Sequence, residues 1–257
     1  MSSFIHPTAI VDADSIIGDN VEIGAFSIVE KNVKIGDNTK VSSNVLIKEY
    51  SSIGSDCNIF KGAVVGEVPM DLKFEGEESS LEIGDRTTVR EFCTLHRGTK
   101  DKKITKIGSD CLLMSYSHVA HDVIIGDNVI VSISVNIAGH AEVDDYAIIG
   151  GCTPVHQFCK IGKHAFIGGG RLILQDVPPY ILATGEPLKY AGVNSVGLRR
   201  RKFSLNARTQ IKKAYSLIYQ SKLNLSQAIK QIKSDFDDSP EIKTILEFIE
   251  RSDRGLI

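Results

Sequence analysis

Two histidines and an aspartate lie close together in the segment HVAHDVIIGDNVIV, which spans residues 118–131. A histidine side chain ordinarily titrates near pH 6.5, so a neutral imidazole can accept a proton from a hydroxyl group at neutral pH. General-base catalysis of this kind typically contributes about 10²–10⁴-fold to a rate. His118, His121 and Asp122 are therefore the first candidates for a reactive site.

The segment belongs to a repeat of six residues, a hexad. From Ile5 to Ile173, 26 of the 29 residues at this spacing are apolar, and the exceptions are Asp71, Glu77 and Asp101. The overall hydrophobic content of 42% would place about 12 apolar residues there by chance. A period of six fits neither a helix nor a simple alternating strand. It predicts short strands joined by tight bends, each strand sending one branched side chain inward.

Three such strands with their bends make one triangular coil, which is three hexads long. Glycine follows the repeated aliphatic residue at 11 positions, and Asp-Asn pairs recur beside it. Both tolerate positive φ, so we expect them to form the bends. Stacked coils pair through their backbones about 4.8 Å apart, which predicts roughly nine to ten coils and a prism about 45 Å tall.

The three exceptions mark two polar loops, near residues 68–80 and 97–104. Because the apolar register resumes after each loop, each should remove a whole number of hexads from the wall. Loops that leave a rigid scaffold often carry binding groups. We therefore expect these loops to lie over a site.

The repeat ends near QDVPPY, and the chain then takes on helical spacing. The β-helix is predicted over residues 1–190 and a C-terminal helical domain over residues 191–257. Apolar helical faces are predicted for Ile211, Ala214, Tyr215 and Ile218, for Leu225, Ile229, Ile232 and Phe236, and for Ile242, Ile245, Leu246 and Ile249. The Ser239-Pro240 pair predicts a helix start. Such a domain would cap the open end of the solenoid or present the segment GLRRRKF.

The coil length predicts which residues stack. Gly139 lies three hexads after His121 and Gln157 lies six hexads after it, so the three should form one column, with His140 above Asp122 beside it. Gly139 has no side chain, and its N–H is a candidate oxyanion donor, an interaction worth about 3–4 kcal/mol where it has been measured.

Two further expectations concern the neighbours of His121. His118 should lie near a corner, three positions before the column. Asp122 can reach His121 only at a bend, because neighbouring residues of a strand point to opposite faces.

Composition excludes several classes of function. The net charge of −2 argues against bulk nucleic-acid binding. No apolar run approaches the roughly 18 residues of a membrane span, and the start MSSFIHPTAIVDADS is unlike a secretory signal. The five cysteines are odd in number and include no C-x-x-C, which indicates free thiols in a reducing cytoplasm.

A resemblance covers essentially the whole chain. The segments FIHPTAIV, GEVPMDLKFEGE, TLHRGT, HVAHD, AGHAEVDD, VHQF, QDVPPY, GVNSVGLRRR and RSDRGLI occur in this order. Together they resemble the bacterial UDP-N-acetylglucosamine O-acyltransferases of the hexapeptide-repeat acyltransferase superfamily. The resemblance implies a left-handed parallel β-helix, whereas the general rule for crossovers favours the right-handed form. It also implies a homotrimer.

The family moves a 3-hydroxyacyl group from acyl carrier protein to the 3-hydroxyl of UDP-N-acetylglucosamine, the step that opens lipid A biosynthesis. The resemblance implies His121 as general base, Asp122 as its partner and Gly139 as oxyanion donor. It places substrate contacts at Asp71, Lys73, His96, His118, His140 and Gln157. His156, beside the column, is a further candidate. No metal or redox cofactor is implied.

Further roles would fall to a neighbouring subunit. The resemblance brings Asn194, Arg200 and Arg201 to the uridine or phosphates, and the forked guanidinium suits a phosphate. Acyl length would be read in a groove between subunits, where Gly169 in the run Gly168–Gly170 leaves room for a longer chain.

The sequence departs from the family pattern at two positions. Val196 stands where an acidic residue is common, and Met70 replaces the more usual glutamine before DLK. The acyl length and the acceptor atom at carbon 3 of the sugar, oxygen or nitrogen, stay open.

Three alternatives are weighed against this interpretation. A zinc enzyme similar to a γ-class carbonic anhydrase would use His118, His121 and His140, although a glycine lies above His121. A non-catalytic scaffold would need no base. The related N-acyltransferase carries an extra N-terminal uridine-binding domain, for which a repeat starting by residue 5 leaves no room.

Overall fold

A computed structural model describes residues 3–236 and 239–257 of the chain. Most of it consists of very short strands separated by bends. The strands are β1 (Phe4–Ile5), β2 (Ile10–Val11), β3 (Ile16–Ile17), β4 (Glu22–Ile23), β5 (Ile28–Val29), β6 (Lys34–Ile35), β7 (Lys40–Val41), β8 (Leu46–Ile47), β9 (Ser51–Ile53), β10 (Asn58–Ile59), β11 (Val64–Glu67), β12 (Ser80–Ile83), β13 (Thr88–Val89), β14 (Thr94–His96), β15 (Ile104–Ile107), β16 (Leu112–Leu113), β17 (His118–Val119), β18 (Ile124–Ile125), β19 (Ile130–Val131), β20 (Asn136–Ile137), β21 (Glu142–Val143), β22 (Ile148–Ile149), β23 (Pro154–Val155), β24 (Lys160–Ile161), β25 (Phe166–Ile167), β26 (Ile181–Thr184) and β27 (Lys189–Val193).

The strands wind round a triangular prism and return to the same wall at every third strand. Wall A contains β1, β4 and so on to β25, wall B runs from β2 to β23, and wall C runs from β3 to β24. All three walls are parallel ladders, and wall A continues through the parallel strand β26 to the antiparallel β27. The fold is the predicted left-handed parallel β-helix. The ten parallel rungs of wall A, β1 to β26, agree with the predicted nine to ten coils.

The repeated aliphatic side chains fill the prism. In β21, Val143 is buried and Glu142 faces outward, and the same alternation recurs in the strands of all three walls. Burying one such aliphatic side chain stabilises the fold by about 1.5–3 kcal/mol. The residue before each aliphatic therefore faces solvent, and on wall B this row includes His118, Asn136 and Pro154.

Both loops remove whole hexads, as predicted. Thr88 pairs with Asn58, which lies five hexads earlier instead of three, so the loop between β11 and β12 takes out two hexads. His118 pairs with Thr94, four hexads earlier, so the loop between β14 and β15 takes out one. The aliphatic register is thereby the same before and after each loop.

The bends differ from the prediction in one respect. Of the glycines that follow the repeated aliphatic residue, only Gly66 has a positive φ. The left-handed residues are the second residues of the bends, which include Asn20 and Asn38 of the predicted Asp-Asn pairs and also Asp56. The glycines allow close stacking, since a Cβ on Gly24 would lie 2.7 Å from the Ser42 carbonyl carbon of the next coil.

The C-terminal segment forms helices that pack against the last coils. In the described residues these are α1 (Ser195–Arg200), α2 (Leu205–Tyr219), α3 (Leu225–Asp235) and α4 (Pro240–Glu250). Ser239 caps α4 with proline at its first turn, as predicted. Tyr215 of α2 is fully buried and its hydroxyl donates to the Pro179 carbonyl, 2.6 Å away. Leu225, predicted on an apolar face, is 41% exposed because it begins α3.

The predicted domain boundary at residue 190 stays a prediction, since β27 extends the sheet to Val193 before the first helix begins. Residues 1 and 2 lie outside the described residues. Of the helices described, each is too short or too polar to cross a membrane.

Candidate active site

His121 and Asp122 form the bend between β17 of wall B and β18 of wall C. Asp122 adopts a left-handed φ of 59°, which turns its side chain back toward the imidazole. His121 Nδ1 lies 2.8 Å from Asp122 Oδ2, and both residues are buried. The bend therefore lets two adjacent side chains meet, which they could not do within a strand.

His118, by contrast, lies within β17 on the outer face of wall B and not at a corner, because its neighbour Val119 is the buried aliphatic of that strand.

Asp122 is a fully buried carboxylate with four hydrogen-bond donors. Besides His121, the Thr99 N–H and the Lys102 N–H reach Oδ1 at 3.0 and 3.2 Å, and the Thr99 hydroxyl donates to Oδ2 at 2.6 Å. Burial alone would raise the pKa of Asp122, but the hydrogen bonds from His121 and Thr99 outweigh it and hold the pKa at about 2. The carboxylate is therefore ionised at neutral pH and accepts a hydrogen bond from Nδ1–H of His121.

Gly139 lies directly against the His121 ring in the next coil, as predicted. A Cβ at position 139 would lie 2.7 Å from His121 Cε1 and 2.8 Å from Nε2. His121, Gly139 and Gln157 line one cavity of about 270 Å³. In the part of the chain that the structure describes, the Gly139 N–H donates to no protein acceptor. A base and a free backbone donor thus share one cavity.

A pair of histidines lines the same cavity on wall B. The rings of His96 and His118 lie 5.0 Å apart, edge to face. His96 Nδ1 lies 2.6 Å from the Val68 carbonyl oxygen, and His118 Nδ1 lies 2.8 Å from the Thr94 hydroxyl. Burial lowers the pKa of His96, and burial followed by the two neighbouring imidazoles lowers the pKa of His118 to about 4. Both rings are neutral at pH 7.

His140 lies on the other side of His121. Its ring crosses that of His121 at 5.1 Å and stacks on Phe158 at 4.6 Å. It lines a cavity of about 430 Å³ with Asp71 and Lys73, which come from the loop between β11 and β12. Burial lowers the pKa of His140. The structure therefore brings these three predicted contacts together, next to the His121 cavity.

The residues fit a metal poorly. Among residues 3–236 and 239–257, His121, Asp122 and His140 place possible ligand atoms within 4.8 Å of one another. His118 is not part of this group, and the Asp122 oxygens already accept four hydrogen bonds. Three converging imidazoles, which the zinc alternative requires, are not found in the described part of the chain.

Three other predicted residues lie away from His121. Asn194, Arg200 and Arg201 line a cavity of about 580 Å³ on wall A with outward-facing apolar residues of its last coils. Asn194 caps α1 by accepting from the Gly197 N–H. Arg201 lies over the Tyr146 ring at 4.7 Å. A single chain does not bring these residues to the base.

Gly169 and His156 also lie outside the His121 cavity. Gly169 is exposed in the bend after β25, at the edge between walls A and B, whereas His121 lies at the opposite edge of wall B. Its neighbour across the coils is Gly151, whose carbonyl oxygen would be 2.9 Å from a Cβ on Gly169. His156 is exposed. Both assignments stay predictions.

Sequence reasoning missed the residues that hold Asp122. Thr99 and Lys102 belong to the loop between β14 and β15, and the Thr105 hydroxyl accepts from the Asp122 N–H at 2.8 Å. The loop interrupts the period of six, so no spacing rule links it to Asp122. The available signal was the segment TLHRGT, which contains Thr99.

A triangular parallel β-helix with a histidine–aspartate pair at one corner is the arrangement expected of a hexapeptide-repeat transferase. Two family models match: bacterial transferase hexapeptide over residues 14–49 and 104–132, and domain 2 of UDP-N-acetylglucosamine O-acyltransferase over residues 176–257. The chain belongs to the acyl-[acyl-carrier-protein]–UDP-N-acetylglucosamine O-acyltransferase family and is an acyltransferase.

Individual relatives match along nearly the full length. The Thiobacillus denitrificans acyl-[acyl-carrier-protein]–UDP-N-acetylglucosamine O-acyltransferase is 47% identical over 98% of each chain. The solved structure of a UDP-N-acetylglucosamine acyltransferase from Bacteroides fragilis has a TM-score of 0.97 at 46% identity, covering 99% of this chain and 100% of that one. The UDP-N-acetylglucosamine O-acyltransferase from Moraxella catarrhalis has a TM-score of 0.95 at 41% identity, covering 98% and 99%.

Proposed function

We propose that this enzyme transfers a 3-hydroxyacyl group from acyl carrier protein to the 3-hydroxyl of UDP-N-acetylglucosamine, with His121 as the general base. The observation that carries the proposal is the shared cavity of the His121 ring, anchored at Nδ1, and the unpartnered Gly139 N–H. Because Nδ1 donates its hydrogen to Asp122, Nε2 is left as the ring nitrogen that accepts a proton. The reaction would open lipid A biosynthesis.

The steps follow from this arrangement. His121 Nε2 takes the proton of the sugar hydroxyl while its oxygen attacks the thioester carbonyl carbon. The Gly139 N–H donates to the oxyanion of the tetrahedral intermediate. The intermediate then collapses, the carbon–sulfur bond breaks, and the carrier thiolate takes the proton from His121. Asp122 stabilises the imidazolium between these two transfers and keeps the ring in place.

The remaining predicted residues receive roles by position. His96, His118 and Gln157 line the reaction cavity, where neutral imidazoles act as single donors or acceptors toward the sugar or the acyl group. Asp71, Lys73 and His140 line the adjoining cavity and would hold polar groups of the sugar nucleotide. His156 would contribute only at the rim.

A homotrimer would complete the site. Leu112, Ile130, Ile148, Phe166 and Leu182 occupy successive outward positions of wall A and form an apolar row. Apolar rows of this kind on an outer sheet face favour a subunit contact. The cavity of Asn194, Arg200 and Arg201 lies on the same face, so assembly would carry these residues to a neighbour's site.

The trimer has a direct test. Phe166→Glu should give a monomer by light scattering after size exclusion, because a charge would be buried in the apolar row. Phe26→Glu, which also replaces an exposed phenylalanine, should leave the oligomeric state unchanged. A Phe166→Glu trimer would contradict the use of wall A.

The state of the cysteines supports a cytoplasmic location. All five cysteines are free thiols, and four of them are buried. Such unpaired thiols fit a reducing cytoplasm, where acyl carrier protein and sugar nucleotides would meet this enzyme.

The base assignment is tested by His121→Ala. The variant, given UDP-N-acetylglucosamine and a panel of acyl carrier protein thioesters, should lose about 10³-fold or more in kcat, read by product mass. His6→Ala is the matched control, since His6 lies on the first coil and bonds Thr8. A His121→Ala enzyme with the turnover of the unmodified enzyme would refute the base assignment.

The acceptor atom at carbon 3 of the sugar is tested in the same assay. The 3-amino analogue of the sugar nucleotide decides between an oxygen and a nitrogen acceptor.

A further inference from the structure

We infer that Thr99 is a positioning residue for the catalytic pair: the loop between β14 and β15, residues 97–103, acts as a clamp that holds the Asp122 carboxylate and, through it, the His121 ring. This inference rests on the proposed function of His121. It concerns a residue that does not touch the base and that lies well before His121 in the chain.

Thr99 makes two of the four hydrogen bonds to Asp122. Its N–H donates to Oδ1 at 3.0 Å, and its hydroxyl donates to Oδ2 at 2.6 Å, so this one residue binds both carboxylate oxygens. Oδ2 is also the atom that meets His121 Nδ1 at 2.8 Å. The Thr99 hydroxyl and the His121 ring therefore share one acceptor, and the hydroxyl determines where that acceptor lies.

Asp122 has little other means of support against rotation. Its backbone is fixed by the bend, where its N–H donates to the Thr105 hydroxyl, whereas the two torsions of its side chain are set by the hydrogen bonds to the carboxylate. Oδ1 is held by the Thr99 and Lys102 N–H groups at 3.0 and 3.2 Å. Without the Thr99 hydroxyl, His121 would be the one donor left within hydrogen-bond distance of Oδ2 in the described residues, since His140 Nε2 lies 3.8 Å away.

The loop is closed by contacts of its own and is tied to the prism, which makes it suitable as a clamp. The Lys103 N–H donates to the Thr99 carbonyl at 2.8 Å, closing a turn at the loop tip. A Cβ on Gly98 would lie 2.6 Å from the Lys103 carbonyl carbon, so the two ends of the turn touch. The Lys102 ammonium lies 3.3 Å from Glu142 Oε1 on wall C, which ties the loop to the prism.

Thr99 is buried, with 6% of its surface exposed, and it has its hydroxyl committed to Asp122. It borders the cavity of Asp71, Lys73 and His140 rather than the reaction cavity. A direct role in substrate binding would appear in KM, whereas a role through Asp122 would appear in kcat. This distinction defines the test.

Thr99→Val keeps the shape and removes the hydroxyl, and Thr99→Ser keeps the hydroxyl and removes a methyl group. Thr99→Val should lower kcat by about 10-fold, as expected for losing one hydrogen bond to a charged group, with little change in KM. Thr99→Ser should stay within about threefold of the unmodified enzyme. Thr87→Val is the matched control, because Thr87 is a buried threonine whose hydroxyl bonds elsewhere on the prism. It should keep kcat.

A double-mutant cycle isolates the route through Asp122. If Thr99 acts through the carboxylate, Thr99→Val should cost nothing further in an Asp122→Ala background. Equal losses in both backgrounds would overturn the inference, as would a Thr99→Val enzyme with unchanged kcat or a Thr99→Ser enzyme as slow as Thr99→Val. Thr99→Ala, which adds no bulk, replaces the valine variant if that chain does not fold.

His121→Ala measured in the same assay separates two kinds of failure. If His121→Ala retains turnover, the proposed base is wrong and the clamp has no catalytic meaning. If His121→Ala is inactive while Thr99→Val is fully active, the base stands and the inference about Thr99 is wrong.

Discussion

His121 and Asp122 are adjacent in sequence, yet His121 Nδ1 lies 2.8 Å from Asp122 Oδ2. In a strand their side chains would point to opposite faces. The left-handed φ of 59° at Asp122 removes this restriction, so the bend that closes the coil also brings together the proposed catalytic pair.

Asp122→Asn should lower kcat by at least about 100-fold, because an amide can donate to Nδ1 and leave the proton on Nε2, the wrong tautomer for a base. Initial rates at saturating substrates measure the effect. Asp110→Asn is the control, since Asp110 pairs with Arg86 on the exposed surface. A kcat within threefold of the unmodified enzyme would show that Asp122 does not orient His121.

Gly139→Ala should reduce kcat by about 100-fold or more while the prism stays folded. The added Cβ would lie 2.7 Å from His121 Cε1, so the ring or the oxyanion donor must move. A Cβ on Gly126 would meet the Asp145 carboxylate and lie 2.8 Å from the Asp145 backbone nitrogen, so Gly126→Ala crowds the next coil at least as strongly, away from the cavities of His121 and His140. Circular dichroism and kcat are compared for both variants. Equal losses of kcat would attribute the effect to crowding of the coil alone.

Gly169→Met should shift the preferred donor toward shorter acyl chains. Gly169 and His121 lie at opposite edges of wall B, so an acyl group bound at His121 and running across this wall would meet the new side chain. Product masses from a mixture of carrier thioesters give the preference. Ile16→Met, at an exposed position of wall C on the first coil, should leave the preference unchanged. An unaltered length distribution for Gly169→Met would exclude this corner as the ruler.

The free energy of unfolding should fall as the pH drops from about 6.5 to 4, in part because of His164. Burial, followed by the charge of Arg201, lowers the pKa of His164 to about 4. Between these two pH values His164 is protonated in the unfolded chain but stays neutral in the folded chain. Its contribution to the free energy of unfolding is therefore fully present above the pKa of the unfolded chain and declines as the pH falls below that value. For this buried ring the loss is on the order of 3 kcal/mol.

His164→Phe tests this prediction. The new ring preserves the stack between Tyr146 and Tyr180 and the edge contact with Phe203, and it cannot titrate. Asp145 and Lys163 are the other charged groups near this ring, and both are unchanged in the variant. Urea unfolding midpoints between about pH 7.5 and 4.5 should decline less steeply in the variant. Parallel curves for the two proteins would remove His164 from the acid response.

The period of six predicted the walls, the coil length and the two loops, because the repeated aliphatic residue points into the prism in almost every strand. It also predicted that Gly139 stacks on His121 and that Gln157 lines the same cavity. It was right that the Asp-Asn pairs supply left-handed residues and wrong for the glycines, which serve close stacking of the coils rather than the turn itself. It put His118 at a corner, although the alternation in β17 places it on the wall.

Contacts made by the loops followed no such rule. Thr99 reaches the distant Asp122 through a turn whose shape depends on its own backbone hydrogen bonds. Arg201 lies over Tyr146, which belongs to a much earlier part of the chain, because a helix folds back on the last coils. Pairings of this kind depend on how separate elements pack, and the repeat does not encode that packing.

The two loops that leave the prism remove two hexads and one hexad from the walls. The position of each wall residue within its hexad is therefore the same before and after each loop. A deletion of a single residue within the wall would turn every later aliphatic outward and every later polar side chain inward. A whole hexad added at a loop tip leaves that phase untouched. Such a scaffold can lengthen or shorten the loops around its cavities without rebuilding its interior, because the walls resume the same register after each loop.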